Sequence, residues 1–324
     1  MKSEPKMVIV IATCMPTDLL RRTLQTLADC RLPGTLSRVI VAENGPESVG
    51  EGIVDDFAGR LPVEHHYFQN AKKCGALNGA LDLLDDEFIV YFDDDVRVHK
   101  GTLMAYAKAA EGMSGGSFFG GHCKVDYDER PAEWLMKFLP DAALGWAPSE
   151  SVCELTESRA LGFNWAAFAN DLRAAGGYDE RCGPGTSANS DETNVQETML
   201  RNGVKAYFLP DAIVWHYVPP QRCSVEWLLD YKRKDGKGKG IAAADRGGLF
   251  CLKQRYGSWA KLQLCKLALL LPSSLLKSDF VFHCKIKVER LEGKLEGISL
   301  VKSGVAKVQR AQASKPSYEA AKSI

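Results

Sequence analysis

Apolar residues along the N-terminal third alternate between two periods. "MVIVIAT" (7–13) is an unbroken, β-branched run that reads as a strand buried on both faces. "TDLLRRTLQTLADC" then places Leu20, Leu24 and Leu27 at helical spacing, with Thr17 or Asp18 as its cap. "SRVIVAENG" (37–45), "VEHHYFQN" (63–70) and "FIVYFDDD" (88–95) predict three more strands, separated by the helical patterns "VGEGIVDDFAGR" and "CGALNGALDLLDD". Strands alternating with helices predict an α/β fold, a mostly parallel sheet covered on both faces. Ligands of such sheets bind beyond the carboxyl ends of the strands, which here carry Thr13, Glu43, Asn70 and the triplet Asp93, Asp94, Asp95.

The middle of the chain loses this rhythm. "MSGGSFFGGHCKV" and "GGYDERCGPGTSANSD" predict strands joined by shaped loops, and "DETNVQETMLRNG" (191–203) predicts a helix with Gly203 beyond its end. "KAYFLPDAIVWHYVPP" predicts two short strands. Beyond residue 224 the pattern turns helical and basic: "KRKDGKGKG" (232–240) reads as a flexible cationic loop, and 259–277 as an apolar helix interrupted by Pro272. The expected organisation is an α/β domain over 1–224, a helical extension over 225–303 and a flexible tail over 304–324.

Charge changes this picture little. Lys and Arg number 41, as do Asp and Glu, so no global field points to a nucleic-acid partner. Ten cysteines stand singly without metal-ligand spacing, as reduced thiols of a cytoplasmic protein do. No run is apolar and long enough to span a bilayer. Peripheral contact with the cytoplasmic face through 232–277 is left open, against a helix packed back on the α/β domain.

Three segments carry candidate chemistry. The triplet at a strand end is either a solvated turn or a seat for magnesium or manganese, since hard cations take carboxylates together with substrate phosphates. Asp191 and Glu192 open a helix, where they either cap it or serve as a general base. His216, closing "IVWH", is a structural histidine or a ligand.

Taken in order, these segments resemble the inverting glycosyltransferases of family 2, which have the GT-A fold. The resemblance rests on "VIVIATCMPTDLLRRTLQTL", "VIVAENG", "NAKKCGALNGAL", "YFDDDVRVHKGTL", "GFNWAAFANDLRAAGGYDERCG" and "SDETNVQETMLRNGVKAYFLPDAIVWH", and spans residues 7 to 240. It implies a nucleotide part over 1–100 and an acceptor part over 101–224. It further implies a metal-dependent transfer from a nucleotide-sugar donor, by default a UDP-sugar, to a glycan or lipid-linked acceptor, in polysaccharide or glycoconjugate synthesis. By position, Thr13 and Glu43 face the nucleotide, Asn78 and Lys73 the donor, Asp93 the ribose, and Asp94 lies between. Asn164 and Trp165 line the sugar pocket, while Asp95 and His216 hold Mn2+ or Mg2+. Leu77 stands where the family has a basic residue, so Lys72 or Lys73 supplies that charge. The acidic pair is reversed here relative to the family's Glu-Asp, and counting back from "RNG" places Glu192 at the base position, with Asp191 as its rival. A nucleotidyltransferase or a dinucleotide-dependent dehydrogenase is disfavoured because no glycine-rich loop follows the first strand. A non-catalytic nucleotide-sugar binder would be expected to lose the triplet or the acidic pair.

Overall fold

A computed structural model describes residues 4–15, 17–272 and 276–302; the tail expected over 304–324 lies outside the described residues. The strands are β1 (Met7–Cys14), β2 (Leu36–Gly45), β3 (Val63–Gln69), β4 (Phe88–Asp93), β5 (Val96–Val98), β6 (Ser117–Tyr127), β7 (Cys153–Leu155), β8 (Asn164–Phe168) and β9 (Lys205–Val218). The helices are α1 (Asp18–Ala28), α2 (Glu51–Asp55), α3 (Lys73–Asp82), α4 (Thr102–Ala110), α5 (Glu133–Met136), α6 (Asp141–Leu144), α7 (Ala169–Ala174), α8 (Asp191–Arg201), α9 (Val225–Arg246), α10 (Gly248–Leu269) and α11 (Ser278–Lys302). Two compact units emerge. Among the described residues, one comprises 4–179, Gly183–Gly185 and Ser190–Tyr231; the other comprises Glu180–Cys182, Thr186–Asn189 and 232–302.

The first unit holds one sheet in the order β3-β2-β1-β4-β8-β6-β9-β5, with β7 alongside β9. β3, β2, β1 and β4 run parallel, whereas β8 is antiparallel to β4. Residues two apart on a strand share a face, and the core divides accordingly. Ile9, Ile11, Val39 and Val41 pack with Leu20, Leu24 and Leu27 of α1. Val8, Val10, Ile40 and Ala42 pack with Ala76, Leu77 and Ala80 of α3 on the opposite face. The unbroken apolar run of β1 thus follows from its burial on both sides.

Two expectations need correction here. "KAYFLPDAIVWHYV" forms one long strand, β9, rather than two. Its pairing with β6 steps from Gly121↔Leu209 to His122↔Ile213, so Pro210, Asp211 and Ala212 bulge out of the ladder. Proline has no N–H to give a ladder, and the strand absorbs it in this bulge. The second correction concerns 232–240, which lies within α9 and is not a loop.

In the second unit the glycines of that segment are contact points. A Cβ on Gly236 would lie 2.0 Å from the Arg290 carbonyl oxygen, and one on Gly240 2.2 Å from that of Lys294. Conversely, a Cβ on Gly293 would meet the Arg233 carbonyl at 2.0 Å, and one on Gly297 the Lys237 carbonyl at 2.1 Å. α9 and α11 therefore run parallel, backbone against backbone, at a closeness only glycine permits. Arg233 is held by Glu289 and Glu292 at 2.9 and 3.0 Å and also by Glu296. The cationic character of the segment is spent partly on pairing the two helices.

Candidate active site

The turn after β4 is held by side chains of α1 and β1. The Thr23 hydroxyl of α1 lies 2.9 and 2.7 Å from the carbonyl oxygens of Asp94 and Val96, and accepts the Val96 amide. Thr13, buried at the end of β1, donates its hydroxyl to Asp94 at 2.5 Å. Asp94, the middle residue, is therefore a brace that ties β1 to the turn. Burial, reinforced by the charges of Asp95 and Asp93, pushes its carboxyl up to about 6, against the Thr13 hydrogen bond.

Lys73, at the start of α3, donates to Asp93 at 2.5 Å. Burial opposes its charge, but Asp93, Asp191 and Glu192 outweigh that and hold the ammonium well above the ordinary lysine range. One lysine therefore joins the triplet electrostatically to the acidic pair opening α8. Ser190, just before the pair, has φ of 75°, a left-handed turn that starts α8 abruptly. Asp191 is buried and accepts the Cys74 thiol at 3.7 Å, whereas Glu192 is only half-buried. Burial and the neighbouring Asp191 charge raise the Glu192 carboxyl well above the usual range. Gly183 closes this corner with φ of +92°, where a Cβ would sit 2.9 Å from the Cys74 sulfur and 3.0 Å from the Asp191 carboxylate.

Register delivers His216. β5 pairs antiparallel with β9, matching Val96 to His216, and the Tyr217 amide donates to the Asp95 carbonyl at 2.9 Å. The His216 ring stacks on Phe163 at 4.1 Å, and its Nδ1 donates to the Ala142 carbonyl at 2.7 Å. Nε2 therefore carries the lone pair, and it lies 3.7 Å from Asp95 Oδ2. Burial, aided by the Arg222 charge, lowers the ring to about 4, so it is neutral.

These residues fit a divalent cation. Asp95 Oδ1 is buried without a hydrogen-bond partner, and burial together with the Asp93 charge pushes its carboxyl up to about 6. A carboxylate with a free oxygen beside a neutral imidazole lone pair is a hard-cation donor set. Among the described residues no three His, Cys, Asp or Glu side chains converge on a closed metal cage. Two protein ligands, with the remainder left to phosphate oxygens and water, match how magnesium is usually held.

Arg222 joins the site without having been expected from the sequence. Its guanidinium donates to the His216 Nε2 lone pair at 3.1 Å and lies 3.5 Å from Asp95 Oδ2, so a metal cation held by these two residues would have to displace it. The one signal for it is an arginine a few residues past the strand-end histidine, in "PPQRC".

Four expected site residues make their contacts within the fold. Glu43 is fully buried and accepts the Val49 and Gly50 amides at 2.9 and 3.1 Å and the His65 ring at 2.6 Å. Burial works against its charge, but those donors prevail and hold its carboxyl below the usual range, so it shapes the loop after β2. Asn78 is bonded through both amide ends to the Tyr178 backbone, fixing the glycine turn before it. Asn164 is buried, accepts the Tyr106 hydroxyl at 2.9 Å, and donates to the carbonyls of Ala212 and His122. It satisfies the backbone that the β9 bulge leaves unpaired. Trp165 is likewise fully buried, stacked on Tyr91 at 5.3 Å.

The chain is similar in sequence and in fold to known proteins. Residues 8–164 match the family described as Glycosyl transferase family 2. The succinoglycan biosynthesis protein ExoM of Rhizobium meliloti (strain 1021) is 24% identical over 290 residues, covering 85% of this chain and 89% of that protein. Among solved structures, the mannosyltransferase PcManGT from Pyrobaculum calidifontis, in complex with GDP-Man and Mn2+, superposes with a TM-score of 0.57 at 15% identity. The match covers 92% of this chain and 88% of that one. S. aureus TarS 1–349 in complex with UDP-GlcNAc gives 0.51 at 15% identity, over 92% of each chain. The chain shares the GT-A fold with them.

Proposed function

We propose that this chain, a glycosyltransferase carrying a family 2 domain, moves a sugar with inversion from a nucleoside diphosphate to a glycan hydroxyl. The observation that carries the reading is the start of α3, where Lys73 binds Asp93 at 2.5 Å and the next residue, Cys74, binds Asp191 at 3.7 Å, so that the strand-end triplet and the distant acidic pair meet at one helix end. ExoM's part in succinoglycan biosynthesis supports a polysaccharide or lipid-linked glycan as acceptor. UDP is the default nucleotide, with GDP the alternative by the bound donor of PcManGT.

Glu192 is the general base. It is the less buried of the pair, so a substrate hydroxyl can reach it, while Asp191 is committed to Cys74 and the turn. It takes the acceptor proton as the acceptor oxygen bonds to the anomeric carbon and the bond to the donor phosphate oxygen breaks. Lys73 holds Asp93 and balances the charge that the acidic pair places beside it. Arg222 is placed to turn from Asp95 and His216 to the departing diphosphate, where a guanidinium can bind two oxygens at once. A divalent cation held at Asp95 and His216 supplies positive charge against that diphosphate when bound.

The test is a panel of UDP-, GDP- and dTDP-sugars assayed for donor hydrolysis and transfer, with Asp95→Ala and Glu192→Gln as controls. One donor should turn over, stop on chelation and resume with manganese. Turnover indifferent to chelator and to Asp95→Ala would refute the cation role. A product that retains the donor's anomeric configuration would refute direct inversion.

A further inference from the structure

α10 is the part of the described chain that catalysis leaves unexplained. Cys251, Ser258 and Leu262 bury one of its faces. Another face carries Leu249, Leu252, Tyr256, Trp259 and Leu267, continued by Leu270 at the helix end, spaced so that all six fall on one side. Leu249 and Leu270 are 85% and 80% exposed, Tyr256 66% and Trp259 56%. A row of exposed large apolar side chains on one helix marks an interaction surface rather than ordinary scatter.

Charge identifies the partner. The charged residues of α10 are Lys253, Arg255, Lys261 and Lys266, all basic, with no acidic residue along the helix. By helical spacing Lys253 stands at one margin of the row, where exposed Leu264 continues the apolar surface toward Lys261, and Arg255 and Lys266 border the other side. Lys266 is paired with Glu292 at 2.7 Å, which leaves Lys253 and Arg255 as the cations most directly placed beside the row. A protein partner could present any charge pattern, but a basic rim around an apolar strip complements an anionic lipid surface. Tyr256 and Trp259 are the side chains that favour the boundary between headgroups and hydrocarbon. No helix of the described residues is long and apolar enough to cross a membrane, so α10 would lie in the plane of the interface. Arg233, among the cations of 232–240, is instead engaged with Glu289, Glu292 and Glu296.

We infer that the exposed apolar face of α10 is a membrane-surface site for anionic phospholipid, in which the apolar strip enters the headgroup boundary and the flanking cations hold the phosphates. The inference is independent of the donor and acceptor assigned above.

Flotation of the full chain with phosphatidylcholine vesicles, with and without phosphatidylglycerol, tests it. The chain should float with the anionic vesicles and about tenfold less with neutral ones, and added salt should release it. Trp259→Glu with Leu267→Glu should reduce flotation about tenfold, while circular dichroism shows the helices intact. Lys253→Glu with Arg255→Glu should abolish the preference for anionic lipid. Absent flotation of the native chain, or unchanged flotation of the Trp259→Glu/Leu267→Glu variant, would overturn the inference. So would a dimer in vesicle-free solution that this variant disperses while the native chain fails to float; that face would then belong to a second copy.

Discussion

At the scale of single residues, protonation and hydrogen bonding decide which polar groups react and which only support. Glu192 must be ionised to accept a proton, and burial beside Asp191 raises its carboxyl. Activity should therefore climb with pH through a limb displaced above the usual carboxylate range. Asp191→Asn removes the neighbouring charge and should move that limb to lower pH, read from kcat/KM against pH. Glu192→Gln should cost about a hundredfold to ten-thousandfold in turnover while donor binding, followed by calorimetry, survives. Asn164 presents the opposite case. Replacing it with Leu would strand the Tyr106 hydroxyl and the Ala212 and His122 carbonyls, a loss of about 3 kcal/mol measurable by urea unfolding. The expectation that Asn164 lines the sugar pocket rests on its position in a segment; the bulge it satisfies exists only once β6 and β9 pair.

Among the elements, the parallel strands and their crossover helices are legible because a strand buried on both faces must be continuously apolar. α9 escapes such reading for an equally physical reason. Gly236, Gly238 and Gly240 lower helix propensity in isolation, and lysines between them suggest solvent. Packing against Gly293 and Gly297 reverses that local preference, since close backbone approach offsets the propensity cost. Gly293→Ala would drive a methyl into the Arg233 carbonyl and should destabilise the α9–α11 pair by about 2 kcal/mol. Hydrogen exchange should quicken over 232–302 while the β-sheet amides stay protected.

For the whole molecule, the division of the chain differs from a simple cut at residue 224. Glu180–Cys182 and Thr186–Asn189 belong with the helical unit, where Arg181 pairs with Asp245 and the Asn189 amide donates to the Lys234 carbonyl at 3.0 Å. A chain ending at residue 231 should become protease-sensitive between 180 and 189, which limited proteolysis with mass spectrometry would show. Periodicity by itself determined the α/β class, the strands that carry Thr13 and Asp93 to one edge of the sheet, and the helix that starts at Asp191, because burial and capping are local demands written residue by residue. Tertiary structure decided what local patterns cannot hold: that Lys73 joins the triplet to the acidic pair, that the β5–β9 register sets His216 beside Asp95, that Arg222 stands against both, and that Glu43, Asn78 and Asn164 hold backbone. Each of these depends on distances between segments far apart in the chain, which exist only after the sheet has formed.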